Sequence, residues 1–243
     1  MQIKIDATES TNDYLKQLLR QGPVEDGSVV RTFDQTRGRG QRGAVWHFEK
    51  DKSLAISVLK KWSGVVKPNP LHLQWVVTYQ VFKVLKQLGP AGWHIKWPND
   101  IMADHKKIAG LLIEHQFQGS LQSTIIGIGV NVNNSEFFDL PYAGSIKQIV
   151  GHDTDLDQLA EQLATQVYAA CDTLKVEDLS HDLAQFNQCL FLKDSPAWFM
   201  DENQNIFQGS IQRVDEKGQL LLQTSSGLQS FSVGELKLRL DLP

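Results

Sequence analysis

QSTIIGIGVNV, residues 122–132, is the stretch on which the fold turns. Ile126, Ile128, Val130 and Val132 alternate with Gly127, Gly129 and Asn131, the period of two that marks a strand. One face of that strand is packed. The other is nearly bare and offers one carboxamide. A bare face lets a ligand or another backbone come close. Helix-on-sheet packing uses glycine as well, and these residues alone leave both readings open.

Working outward, strand patterns recur at 28–34, 53–60, 93–97 and 107–117. Helices separate them. One spans 12–21, capped by Thr11 or Asn12, with Leu15, Leu18 and Leu19 on its apolar face and Gly22-Pro23 as its stop. A second runs from Asn69-Pro70 to about 88 with the stripe Trp75, Tyr79, Phe82 and Leu85. Two more cover 155–174 and 178–190. From 191 onward the helical period vanishes and four or five short strands follow, with turns at Asp201-Glu202-Asn203, Glu216-Lys217-Gly218 and Ser226-Gly227. The expected fold is α/β (α+β): a mixed sheet with helices on one side over 1–190, then a small β domain over 191–243.

The chain has 243 residues, 41% apolar and 21% charged, which excludes a disordered chain, a collagen and a coiled coil. At ~150 residues per domain it holds one or two domains. Two cysteines, Cys171 and Cys189, make neither a disulfide framework nor a cysteine-rich zinc site. The N-terminus carries Asp6, Glu9 and Asp13 and no apolar leader. No apolar run approaches the ~18 residues of a membrane span, so a soluble, cytoplasmic protein is expected. The net charge of −4 argues against a protein that coats nucleic acid. Eight acids within 153–182 read as a solvated helix face.

Three motifs carry chemistry. Gly38-Arg39-Gly40-Gln41-Arg42-Gly43 satisfies G-x-G-x-x-G, but Ala44-Val45-Trp46-His47-Phe48 follows without helical period, so the dinucleotide reading fails. What remains is a glycine loop whose amides can cradle an anion and whose arginines present forked donors for phosphate or carboxylate; a flexible basic surface loop is the plain alternative. Lys96-Trp97-Pro98-Asn99-Asp100, with Lys107-Ile108-Ala109-Gly110 after it, reads as two strands joined hairpin-fashion through a turn. A lysine there is either solvated or a point charge for an oxyanion, and Asn99 and Asp100 suit a ribose or a magnesium ion. Glu9-Ser10-Thr11-Asn12 reads as helix capping or as donors and acceptors for a small polar ring. There is no G-x-S-x-G elbow, no H-E-x-x-H and no metal spacing among the seven histidines. The inventory suits electrostatic activation of a phosphate rather than a covalent enzyme intermediate.

In their order and spacing, Ser10-Thr11-Asn12, Gln35, GRGQRG at 38–43, KWPND at 96–100, KIAG at 107–110 and IGIGVNV at 126–132 resemble the biotin–protein ligases. The resemblance implies a catalytic domain like that of class II aminoacyl-tRNA synthetases and a C-terminal SH3-like barrel. It implies activation of biotin by ATP and Mg2+ to biotinyl-5′-AMP, then transfer to a lysine of the biotin carboxyl carrier domain of acetyl-CoA carboxylase. It places Ser10, Thr11, Asn12, Gln35, Gly38, Gly40, Gln41, Gly110, Gly127 and Gly129 beside biotin. Arg42, Trp46, Asn99, Asp100 and Asn131 go to the nucleotide, with Mg2+ near Asp100, although Trp46 equally suits the core. Lys107 and Arg39 touch both ligands and are the expected catalytic pair. Some members carry arginine where Gln41 stands, which implies weaker retention of the adenylate here. Some carry an N-terminal DNA-binding domain, for which the early Ser10-Thr11-Asn12 leaves no room, so no DNA partner is expected. Some form homodimers. The alternatives are a lipoate–protein ligase or octanoyltransferase, and a non-catalytic biotin sensor.

Overall fold

The glycine strand lies near the middle of a seven-stranded sheet. The computed structural model describes residues 1–64, 67–90 and 92–242. In chain order the strands of the first part are β1 (Gln2–Ile5), β2 (Val29–Thr32), the short pair β3 (Gly38–Arg39) and β4 (Val45–Trp46), β5 (Ser53–Lys61), β6 (Trp93–Lys96), β7 (Asp100–Ala103), β8 (Lys106–Gln118) and β9 (Ser120–Asn131). The helices are α1 (Thr11–Gln21), α2 (Pro70–Lys86), α3 (Ile146–Val150), α4 (Leu156–Asp172) and α5 (Leu179–Gln188). The large sheet runs β1-β2-β5-β9-β8-β7-β6. Only β1 and β2 pair in parallel, so the sheet is mixed, as expected.

Strand alternation assigns each face a role. Leu54, Ile56 and Val58 of β5 and Ile126, Ile128 and Val130 of β9 point into one core with α2, α4 and α5. Leu59 and Ile125 point the other way and meet Leu15 of α1 in a second, smaller core. The one-sided helix layer therefore holds for α2, α4 and α5 and fails for α1. The cause is β5, buried at eight successive positions, which needs cover on both faces. Among the described residues no helix covers the second face past α1, and Gly127 and Gly129 lie on it.

Three local readings need correction. Ser10 caps α1, its hydroxyl accepting from the Asp13 amide at 3.4 Å, while Thr11 and Asn12 lie inside the first turn. Residues 100–103 form a strand, so β6, β7 and β8 make a meander rather than one hairpin. Ile101-Met102-Ala103 is a short buried run without alternation, and the turn residues before it hide it. The acidic stretch is also more than a solvated face. Asp155 caps α4, Asp157 pairs with Lys4 and Arg31, Asp172 holds the buried Lys60, and Asp182 meets His72 at 2.6 Å.

The C-terminal strands are β10 (Pro196–Asp201), β11 (Ile206–Val214), β12 (Leu220–Thr224), β13 (Gly227–Phe231) and β14 (Leu236–Arg239). They form an antiparallel sheet in the order β13-β12-β11-β10-β14. Its inner residues Phe199, Ile211, Val214, Leu220 and Leu222 belong to the same core as α2 and α5. Asn187 of α5 ties the edge, donating to Val214 O at 2.9 Å and accepting from its amide at 2.6 Å. Phe199 is 1% exposed. Phe199→Ala is expected to cost about 3–5 kcal/mol. Because the core is continuous, the variant should still unfold in one calorimetric transition; two separate peaks would contradict the shared core.

Candidate active site

The floor of the site consists of two rows across three strands. Ala55, Gly129 and Gly110 stand in register, and beside them Ser57, Gly127 and Leu112. Asn12 fills the place a side chain on Gly127 would take: a Cβ there would overlap its carboxamide. That carboxamide is fully engaged. Its oxygen accepts from Ser57 Oγ at 2.5 Å, and its nitrogen donates to Leu112 O at 3.1 Å and Glu114 Oε2 at 2.8 Å. The Thr11 amide donates to Gln35 Oε1 at 3.0 Å. The structure thus brings Ser10, Thr11, Asn12 and Gln35 to one corner of a cavity of about 560 Å³.

Trp46 covers the other row. A Cβ on Gly129 would lie 2.7 Å from its Cε2, and one on Gly110 would lie 3.2 Å from its Cζ3. The indole Nε1 is buried without a hydrogen-bond partner. Lys107 Nζ sits 5.3 Å from the indole ring centre, within cation–π range, and 2.7 Å from Asp100 Oδ1. Lys96 Nζ approaches the other Asp100 oxygen at 3.9 Å. Burial pulls Lys96 below the usual lysine value, and the ammoniums of Lys107 and Lys237 act in the same sense, with Asp100 opposing. Two lysines converging on one carboxylate leave the wall cationic. Trp46, Lys96, Asp100 and Lys107 also line a second cavity of about 930 Å³, which takes in Asn131 and Tyr142. The cationic wall therefore serves both spaces.

The remaining expected residues are placed as follows. Arg39, Gly40, Gln41 and Arg42 line the smaller cavity. The Arg39 guanidinium pairs with Asp13 of α1. Gly38 lies in β3 opposite Trp46, and a Cβ there would meet the Trp46 carbonyl oxygen at 2.6 Å; it is outside the cavity wall. Asn99 donates through Nδ2 to Leu111 O, which fixes the turn before β7. Asn131 donates to Gly144 O at 3.0 Å, anchoring the segment after β9. Sequence reasoning did not assign Ser57, Glu114 or Lys237. Ser57 had a signal, a lone hydroxyl within the apolar run 54–59; Lys237 had none.

Burial pushes the Cys171 thiol up to about 12, which leaves no thiolate nucleophile there. Among the described residues no group of three or more His, Cys, Asp and Glu side chains could hold a metal ion. Among the described residues Asp100 is the only carboxylate on the wall of the smaller cavity, and lysines flank both its oxygens. This donor set suits a cation carried in on a ligand's phosphates rather than a protein cage. No helix among the described residues is long and apolar enough to cross a membrane.

Fold and site together define an α+β protein with two cavities beside a glycine floor and a cationic wall. Residues 5–131 match the model of the biotin/lipoate A/B protein ligase family, and the chain belongs to that family. It is 30% identical over 235 residues to the bifunctional ligase/repressor BirA of Salmonella typhimurium, covering 95% of this chain and 72% of the relative. It is 27% identical to the biotin–[acetyl-CoA-carboxylase] ligase of Paracoccus denitrificans, covering 94% of this chain and 97% of the relative. Among solved structures, biotin protein ligase from Aquifex aeolicus in complex with biotin and ATP superposes with a TM-score of 0.79 at 25% identity, covering 98% of both chains.

A β-carbon at Gly127 or Gly129 would overlap Asn12 or Trp46, which makes a test. Gly129→Ala is expected either to cost about 1–3 kcal/mol by overpacking or to expel the Trp46 indole. Acrylamide quenching, compared with Trp46→Phe and the double variant, separates the two; unchanged stability with unchanged quenching would refute the packing.

Proposed function

We propose that the protein is a biotin–protein ligase that activates biotin with ATP and transfers it to the carrier domain of acetyl-CoA carboxylase. One observation carries this reading: a single cationic wall, Lys107 with Lys96 about Asp100, borders two cavities over a glycine floor. Joining a carboxylate to a phosphate needs positive charge between two anions, and such a wall provides it where both ligands meet. The kinship with ligases named for biotin, one in complex with biotin and ATP, supports the same assignment.

In the first step a biotin carboxylate oxygen attacks the α-phosphorus of ATP. The bond from that phosphorus to the bridging oxygen breaks, and pyrophosphate leaves with the electron pair. Lys107 offsets the charge of both reactants and of the crowded phosphorus, and Arg39 adds a second cation from the loop. Asp100 is the carboxylate that would face an Mg2+ carried on the triphosphate, and such an ion would supply further charge neutralisation at the phosphate oxygens. In the second step the neutral amine of the acceptor lysine attacks the biotinyl carbonyl carbon, the bond to the phosphate oxygen breaks, AMP departs and the amine loses a proton. Ser10, Thr11, Asn12 and Gln35 hold the ring end of biotin. The glycines admit it to the sheet, and Asn99 and Asn131 stand on the nucleotide side. Gln41 hydrogen-bonds the adenylate without adding charge.

The test is formation of biotinyl-AMP from biotin, Mg2+ and α-labelled ATP. The native chain should form it, and Lys107→Ala should form it about 10²–10³-fold more slowly. Label appearing with lipoate and not with biotin would overturn the substrate; biotin binding with no adenylate would overturn the activity. Gln41→Arg should slow the escape of the adenylate in a rapid-dilution assay, since a charged donor replaces a neutral one.

A further inference from the structure

Ser57 is the one polar residue in the apolar run 54–59 of β5. It is fully buried and lines neither cavity. It stands behind Thr11 and Asn12, its Oγ 2.8 Å from Thr11 Oγ1 and 2.5 Å from Asn12 Oδ1. Both of those residues line the smaller cavity, so Ser57 reaches a ligand only through them.

Counting protons gives these contacts a direction. Leu112 O and Glu114 Oε2 both face Asn12 Nδ2, and a carbonyl and a carboxylate only accept. Lys16 Nζ holds the other oxygen of Glu114 at 2.6 Å, which fixes the carboxylate behind the amide. The Asn12 nitrogen is therefore turned to that side, and its oxygen is turned to Ser57. A carboxamide oxygen accepts, so the single proton of Ser57 goes to it. The contact with Thr11 must then run the other way, Thr11 Oγ1 donating to Ser57 Oγ. With its proton spent, the Thr11 hydroxyl has only lone pairs left for the cavity. Gln35 is the complement. Its Oε1 accepts from the Thr11 amide at 3.0 Å, which leaves its NH2 group for a ligand.

We propose that Ser57 is a positioning residue that, with Glu114 behind Asn12, sets the hydrogen-bond sense of this corner: an acceptor at Thr11 and a donor at Gln35. Resting on the ligase reading given above, this states what the corner selects, a ring that carries N–H beside C=O. A ring with oxygen in place of that N–H sets lone pair against lone pair at Thr11. A dithiolane ring leaves both groups unpaired.

Neutron diffraction from deuterium-exchanged crystals of the ligand-free chain reads the sense directly. The deuteron between Thr11 and Ser57 should lie on Thr11 Oγ1. A deuteron on Ser57 Oγ aimed at Thr11 overturns the proposal, whatever the ligand proves to be. Calorimetric titration then reads the selection, with biotin and its two cyclic carbamate analogues, each with one ring N–H replaced by oxygen. The native chain should bind one of the two about tenfold less tightly than biotin, the factor of one hydrogen bond left unmade. Ser57→Ala frees the Thr11 proton, so that preference should vanish. Thr11→Val should abolish it as well, and Ser57→Ala should add nothing further on that background, whereas independent packing losses would add. In the adenylate assay the Ser57→Ala loss should fall on KM for biotin and not on kcat. A native chain indifferent to both analogues, a preference that survives Ser57→Ala, or additive losses in the double variant each overturn the relay. A native chain that binds no biotin would sink the ligase reading and leave the neutron result standing.

Discussion

Three absent β-carbons set the terms for everything else in this molecule. Gly110, Gly127 and Gly129 lie on the same face of adjacent strands, and that face has no helix over it beyond α1. A sheet face normally buries side chains against a covering layer. Here the layer is replaced by Asn12 from a helix N-terminus and Trp46 from the short strand β4, each seated where a Cβ would otherwise stand. A side chain at Gly127 or Gly129 would displace the residues that frame the cavity.

Electrostatics follow from that geometry. Lys96 and Lys107 stand half-buried beside the floor, with Asp100 more deeply placed between them. Lys107 and Lys96 share a single carboxylate, and the depressed basicity of Lys96 is the cost of burying cations with too few anions. The same surplus explains why the wall needs Asp100 in the free protein: without it, two ammoniums would face each other unpaired. Asp13 plays a corresponding part for Arg39, at the other side of the cavity.

The C-terminal sheet is tied to this arrangement by more than chain connectivity. Its inner residues extend the main core, Trp97 donates to Gly218 O at 3.2 Å, and the turn before β14 forms part of both cavity walls. Folding of the large sheet and completion of the site are in this sense one event, because the wall contributed by residues 233–237 exists only when the two sheets share a core.

By itself the sequence determined the strands and helices with strong period, the break in pattern near 191, and the motifs that carry the chemistry. Alternation, glycine and proline punctuation and loop composition are local signals, and local signals survive in one dimension. β7 escaped because four residues behind a turn offer no period to read. The wrong side assigned to α1 came from β5, whose eight buried positions mark a strand covered on both faces without saying which helix covers which. Only the tertiary structure decided that Gly127 meets Asn12, that Asp100 sits between Lys96 and Lys107, and that five of the eight acids within 153–182 are spent on a cap and ion pairs. Those pairings join residues up to 153 positions apart in the numbering. Their partners are chosen by strand register and by the closing of the core, and neither is written in the residues around them.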